Sequence, residues 1–242
     1  MTLPIIFANG AESWLGGLVC FGVFILVGCL VALSLYWEAQ RRKALEQLAK
    51  ELGLNFSPTD TQNIFGALAH THLCSKGEQR TVANIIWGQT ADTDVAIFDY
   101  TYAVESTNSS DNTTSTTYHR QTVVRFSSSD LNLPAFSLRP KNLFHRIGTL
   151  FGYQALTLDD YPTFSSRWLL RGQDEGAVRS LFSEKAVRFF EEERGLGVEG
   201  HNQMLIVYRE DKRLAPAAIR AFLEESWQVF ALFRTSAGER GL

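Results

Sequence analysis

Between Trp14 and Trp37 the chain runs 24 residues without a charge, and 19 of them are hydrophobic. As an α-helix that stretch rises about 36 Å, against a hydrocarbon core of about 30 Å, so it can cross a bilayer once with some tilt. A buried core helix of this length would carry a polar stripe, and this one has none. Trp14 at one end and Tyr36 with Trp37 at the other are rings with an apolar body and a polar edge, suited to the headgroup layer. Residues 1–13 hold no Lys or Arg, which a cleavable signal peptide needs, so the segment reads as an anchor. Glu38, Arg41, Arg42 and Lys43 follow. Three cations on the C-terminal flank place the short tail 1–13 outside and residues 38–242 in the cytoplasm of a plasma (inner) membrane.

Averages conceal this. The chain is 45% hydrophobic and 20% charged, with a net charge of -3 and a mean hydropathy of -0.08. Without the span, about 41% of the remainder is hydrophobic, as in a soluble domain. A multi-span transporter and a disordered chain are excluded, and 23 basic against 25 acidic residues beyond the span give no field for nucleic acid. Cys20 and Cys29 lie on opposite sides of the span helix, about 13.5 Å apart along it, so they cannot bridge. Cys74 is the one thiol beyond the span, which suits a reducing compartment. Gly28 and Ala32 make a single small-x-x-x-small step, too common to carry a dimer.

Residues 38–56 read as a juxtamembrane helix and linker, with Leu45, Leu48 and Leu52 at helical spacing and Gly53 as its stop. An α+β domain over 57–236 follows, then a tail at 237–242. Ser57-Pro58-Thr59-Asp60 predicts a turn before the short apolar pattern Ile64, Phe65, Leu68. β-Branched and aromatic residues predict strands at 81–87, 93–104 and 118–126. The Ser/Thr/Asn stretch 106–117 between the last two has nothing to bury and predicts a mobile hairpin tip. A hairpin symmetric about it pairs Val104 with Tyr118, Tyr102 with Arg120 in a cation–π contact, and Phe98 with Val124. Downstream, Asp174 and Ser183 are helix caps, Gly200-His201-Asn202 turns a hairpin, and Pro216 opens a helix with Ile219, Phe222, Leu223, Trp227, Phe230 and Phe233 on one face. The fold class is α+β: a single transmembrane helix, then a largely antiparallel sheet with packed helices.

Pro134–Arg139 and Pro162–Arg167 both read P-x-F-S-x-R, through shared strand-entry chemistry, chance or an old duplication. With YHRQTVVRF at 118–126, PAFSLRP at 134–140, FSSRWLLRGQDEGAVRSLF at 164–182 and LIVYRE at 205–210, the chain resembles a bacterial family of membrane-anchored proteins of unknown function. The resemblance covers roughly residues 40 to 233 and implies an N-terminal anchor and a cytosolic α+β domain. It implies no activity, and does not extend to the 106–117 tip.

Chemistry is sparse. His70-x-His72-x-Cys74 would set three metal-capable side chains on one strand face, without the second cluster a zinc site needs, so no metal or cofactor is assigned. There is no G-x-S-x-G and no phosphate loop. Asn108-Ser-Ser and Asn112-Thr-Thr are glycosylation sequons that matter only in a lumen. Arg139, Arg167, Arg171 and Arg179 are open to an anionic ligand or, more simply, to salt bridges. The resulting expectation is a cytoplasmic binding or assembly module on a membrane anchor, with the lipid bilayer and a protein as its partners. The alternative is a tethered hydrolase built from His119, His145 and Asp99; no catalytic residue is assigned. The residues singled out are the flanking Trp14, Tyr36, Trp37, Arg41, Arg42 and Lys43.

Overall fold

In the computed structural model, residues 10–90, 92–108, 112–141 and 155–238 are described. The chain divides into two compact units, Met1–Ala44 and Leu45–Leu242. Helix α1 (Gly10–Leu52) accounts for the described part of the first. From Phe21 to Trp37 every residue of it is exposed, including Phe24 at 76% and Leu26 at 60%. It is one helix long and apolar enough to cross a membrane.

In the second unit the end of α1 changes character. Leu45, Leu48 and Ala49 are buried, while Glu46, Gln47 and Lys50 face solvent. Gly53 stops the helix at φ +69°, donating to the Lys50 carbonyl while Leu54 donates to that of Ala49. This pair of bonds is a Schellman cap, and its left-handed residue is what makes glycine fit there.

The chain then builds one nine-stranded antiparallel sheet, as the fold class requires. Its strands are β1 (Asn55–Thr59), β2 (Glu78–Thr90), β3 (Thr93–Asn108), β4 (Thr113–Ser128), β5 (Leu133–Pro140), β6 (Ala155–Leu156), β7 (Trp168–Gly172), β8 (Leu196–Asn202) and β9 (Met204–Arg209). Their order is β1-β2-β3-β4-β9-β8-β5-β7-β6. Ser57-Pro58-Thr59 belongs to the edge strand β1 rather than to a turn; Pro58, with no N–H to give, is tolerated at an edge. Asp60 supplies the helix start instead, accepting from Ile64 and Phe65 amides of α2 (Ile64–Ala67) at 2.8 Å each.

Both faces of the sheet are covered, so the long strands are apolar on both sides. On one face Val95, Ile97, Val124, Phe126, Phe136, Leu138, Val198 and Val207 meet the end of α1 and helices α3 (Pro162–Arg167), α4 (Glu175–Leu181), α5 (Glu184–Glu192) and α6 (Pro216–Gly238). Asp174 and Ser183 cap α4 and α5 through the amides of Ala177 and Ala186, as expected. Aromatic rings lock α6 down: Phe233 lies 5.3 Å from Phe136 and 5.5 Å from Phe182, and Phe230 lies 5.0 Å from Phe126. On the other face Phe98, Tyr100, Tyr102, Val123, Ile206 and Tyr208 pack under α2 and two 3-10 turns, Leu68–His70 and Leu73–Ser75.

Three local expectations are corrected. First, Phe98 pairs with Val123 and Tyr102 with His119, one residue away from the symmetric register. Asn108 pairs with Thr113, and the even number of residues between them moves every partner by one and turns β4 over. Tyr102 therefore stacks on His119 at 4.8 Å, and Arg120 lies opposite Thr101 on the other face. Second, the polar stretch is mostly ladder: β3 and β4 stay paired through 104–108 and 113–117, with Ser106 and Ser115 hydroxyls 2.8 Å apart. Third, one P-x-F-S-x-R copy is strand β5 and the other is helix α3, so strand-entry chemistry is not shared. Phe136 and Phe164, from the two copies, both pack on Phe182, at 5.6 and 5.8 Å.

Two outcomes follow. Ser106→Cys with Ser115→Cys will oxidise to an intramolecular disulfide, seen by mass spectrometry, and Ser106→Cys with Thr116→Cys will not. Phe233→Ala will cost about 3–5 kcal/mol in denaturant unfolding, whereas Arg220→Ala, which breaks only the exposed pair with Glu51, will change stability by about 0.5 kcal/mol or less.

Candidate functional site

The second face carries the chemistry. Alternation along β5 and β8 points Ser137, Arg139 and Glu199 away from the aromatic core, and Ser137 sits directly between Glu199 on β8 and Arg171 on β7. Lys76 enters from the segment after the second 3-10 turn. Its side chain is 1% exposed and pairs with Glu210, which is 7% exposed. Glu199 is buried with both oxygens engaged: Oε1 accepts from the Tyr208 hydroxyl at 2.7 Å and Oε2 from the Leu73 amide at 3.2 Å. Gly197 makes room for this, because a Cβ there would come within 2.6 Å of the Tyr208 ring.

Burial sets the protonation of the cluster. It pushes the Glu199 carboxyl upward, against the pull of Tyr208, Lys76 and Arg139. It pushes Lys76 downward, with Arg139 adding to the effect and Glu210 opposing it. His72 is driven down to about 3, first by burial and then by Arg139, Lys76 and Arg171, so its imidazole is neutral. The Tyr208 and Tyr102 hydroxyls are both held in the protonated form by burial.

Beside this cluster is a chamber of about 20 Å³ between His70, His72, Ser137, Glu199 and His201, large enough for a single water. His70 and His201 stack over it at 5.3 Å. Outside, sharing Ala135 and His201, an open groove of about 440 Å³ runs along Asn132, Gln173 and Asp174.

The His70-x-His72-x-Cys74 reading as one strand face is corrected: the three residues lie in and between the two 3-10 turns. Among the described residues no group of three metal-capable side chains converges. The hydrolase constellation does not assemble either. Asp99 lies on the helix-covered face, where it accepts from Asn84, Thr122 and Arg213 at 3.0–3.2 Å and ties the approach to α6 onto the sheet. His119 lies on the opposite face, 2.7 Å from Asp211. His145 falls outside the described residues. Of the four middle arginines, Arg179 pairs with Glu175 and Arg167 donates to the Glu191 carbonyl at 2.8 Å. Arg139 and Arg171 join the polar cluster instead.

Of the flanking residues, Trp14 lies in α1, and Tyr36 and Trp37 are exposed there with ring centroids 6.0 Å apart. Arg42 and Lys43 are exposed and Arg41 partly so. The tail residues 1–9 and 239–242 fall outside the described residues. Sequence reasoning missed Lys76, Glu199, Tyr208 and Glu210. The available signal was the charged Glu199 inside a pattern of apolar and glycine residues at 196–200.

An apolar N-terminal helix followed by an α+β domain around one antiparallel sheet is the class these features define. Among solved structures, the chain resembles the mycobacterial trehalose monomycolate transport factor A, TtfA, with a TM-score of 0.56 and 14% identity over 81% of this chain and 92% of that one. At that identity the likeness carries the fold. No protein-family model matches the chain, and no curated protein matches it. The apolar helix and this fold fit the membrane-anchored family that the sequence phrases resemble.

The His72 imidazole fixes a pH dependence. Neutral when folded and able to take a proton near 6.5 when unfolded, it adds stability that is complete above pH 6.5 and lost as pH falls toward 3. Glu199, shifted the other way, acts with opposite sign, so the comparison is between wild type and His72→Gln. Wild type will lose about 3 kcal/mol more than the variant between pH 7 and pH 4 in urea unfolding.

Proposed function

We propose that this protein is a single-pass, membrane-anchored binding or assembly module, with its α+β domain in the cytoplasm. The observation that carries it is the all-round exposure of the apolar helix from Phe21 to Trp37, against the one-sided burial of Leu45, Leu48 and Ala49 in the same helix. A helix apolar on every side finds no solvent in water that suits it, and a bilayer supplies one. Tyr36 and Trp37 then stand at the headgroup level, with Trp14 at the far interface. Arg41, Arg42 and Lys43 hold the C-terminal side in the cytoplasm of the inner membrane.

The fold likeness to a transport factor supports a role in handling or assembling something at a membrane rather than a reaction. So does the polar cluster: Glu199 is bonded to Tyr208 and Lys76 is paired with Glu210, which suits recognition and commits these groups to one another rather than to a nucleophile–base pair. The bilayer and a protein or lipid component in or beside it are the partners this reading implies.

Expressed in a bacterial host, the full chain will stay with membranes through carbonate washing, and a chain lacking residues 1–37 will not. A C-terminal alkaline phosphatase fusion will be inactive and a C-terminal fluorescent fusion bright. An active phosphatase would reverse the orientation, and carbonate release of the full chain would remove the anchor.

A further inference from the structure

Strand β4 outruns its neighbour on one side. It pairs with β3 from Thr113 to Ser128, but β9 joins its other edge only at Val123–Ser127. The turn after β9 takes the next place, where the Lys212 carbonyl accepts from the Thr122 amide at 3.0 Å. That bond fixes which groups point outward. Residues alternate in an antiparallel ladder, so Thr114, Thr116, Tyr118 and Arg120 turn their N–H and C=O the same way as Thr122. Among the described residues none of these four meets a backbone partner on that side, and all four are exposed. Beside them lies an open notch of about 670 Å³, lined by Thr117, Tyr118, His119 and Arg120 on the strand and by Asp211 and Arg213 after β9.

Proteins guard an open edge with a proline, a charge, a bulge or brevity. The two ends of the sheet do so: Pro58 lies in β1, and β6 is two residues long. The open stretch of β4 does not. From 112 to 119 it holds no Pro, Lys, Arg, Asp or Glu, and its ladder with β3 runs without a shift of register. An incoming strand needs an unpaired edge of its own, and a second copy of this chain carries one of matching length. The β3–β4 hairpin turns at Asn112, and the open lane on β4 ends at Arg120. Two antiparallel copies therefore fit with Asn112 of each opposite Arg120 of the other, about a two-fold axis at Thr116. In that register Thr116 meets Thr116 of the copy, Thr114 meets its Tyr118, and no charge opposes a like charge. The outward groups then close about six backbone hydrogen bonds.

We propose that two copies of this protein join their sheets edge to edge through residues 112–120, antiparallel about Thr116. The proposal rests on reading the domain as an assembly module and names its partner as a second copy. Nine residues a side are few beside the roughly 20–30 of a stable complex. The pairing therefore draws on the anchor, which confines copies to one surface and raises the concentration each presents to the next.

The test uses the full chain in phosphatidylcholine vesicles, with Cys20→Ala and Cys29→Ala so that the buried Cys74 is the remaining native thiol. Flotation with the vesicles is scored separately and reports on the anchor alone; protein that does not float is cross-linked at high concentration in neutral detergent instead. Thr116→Cys will oxidise to a covalent dimer, because about 5.5 Å separates the Cα atoms of such a pair. Thr107→Cys, as exposed but on the β3 side of the same ribbon, will stay monomeric, since at least three strand spacings, about 14 Å, part it from its counterpart. Thr114→Pro removes an outward N–H and leaves the bonds to β3 in place. Added to Thr116→Cys it will abolish the dimer, and Thr114→Val will not. Energy transfer between wild-type chains carrying C-terminal donor and acceptor fluorophores will be lost in Thr114→Pro as well. If the ribbon does not survive the proline, seen as loss of the Ser106→Cys with Ser115→Cys disulfide, the contrast between positions 116 and 107 decides alone. A monomeric Thr116→Cys, equal cross-linking at 116 and 107, or a dimer that persists in an intact Thr114→Pro ribbon overturns the pairing. Each of these results would leave the membrane fractionation standing.

Discussion

The period-two alternation of a sheet covered on both sides governs the second unit. Each long strand must supply one set of side chains to the aromatic core under α6 and a different set to the face under the 3-10 turns. On β3, Val95 and Ile97 go one way and Phe98, Tyr100 and Tyr102 the other. On β8 the same alternation sends Val198 into the core and Glu199 into the polar cluster. A slip of one residue would exchange these sets, placing carboxylates among phenylalanines, so the register is held by both faces at once.

Much of the polar face is satisfied from within. Lys76 with Glu210, and Glu199 with Tyr208 and an amide, are closed arrangements that fix the 3-10 turns over the sheet. Gly197 and Tyr208 are part of the same device, since the ring occupies the space a side chain at 197 would need.

Much of this was legible in the chain. Helix caps at Asp174 and Ser183, the stop at Gly53, the apolar face of α6 and the antiparallel sheet all follow from local rules, because each depends on residues within a turn or two. The hairpin register was not, since it depends on whether an even or odd number of residues separates the paired ends. The His-x-His-x-Cys segment misled because alternating residues suit a strand, while Thr71 and Ser75 close 3-10 turns through hydroxyl bonds to Leu68 and His72 carbonyls. The polar cluster was hidden for a different reason: Lys76, Arg139, Glu199 and Glu210 are distant in sequence and meet only when β5, β8 and β9 lie side by side. A charge in an apolar run announces that a partner exists, not which one.

Helix α1 changes character along a single element. Its apolar length is exposed on every side from Phe21 to Trp37, as the proposed lipid contact requires, and its last two turns have one buried face and one wet one. Spin labels placed singly from Phe21 to Ala49 in the reconstituted protein, read by collision with oxygen and with a water-soluble nickel complex, measure this directly. High oxygen access at every position from 21 to 35, passing to nickel access at 38–43 and to immobilised labels at 45, 48 and 49, is the expected profile. A helical periodicity of immobilised labels within 21–35 would show that stretch buried against protein and contradict the anchor.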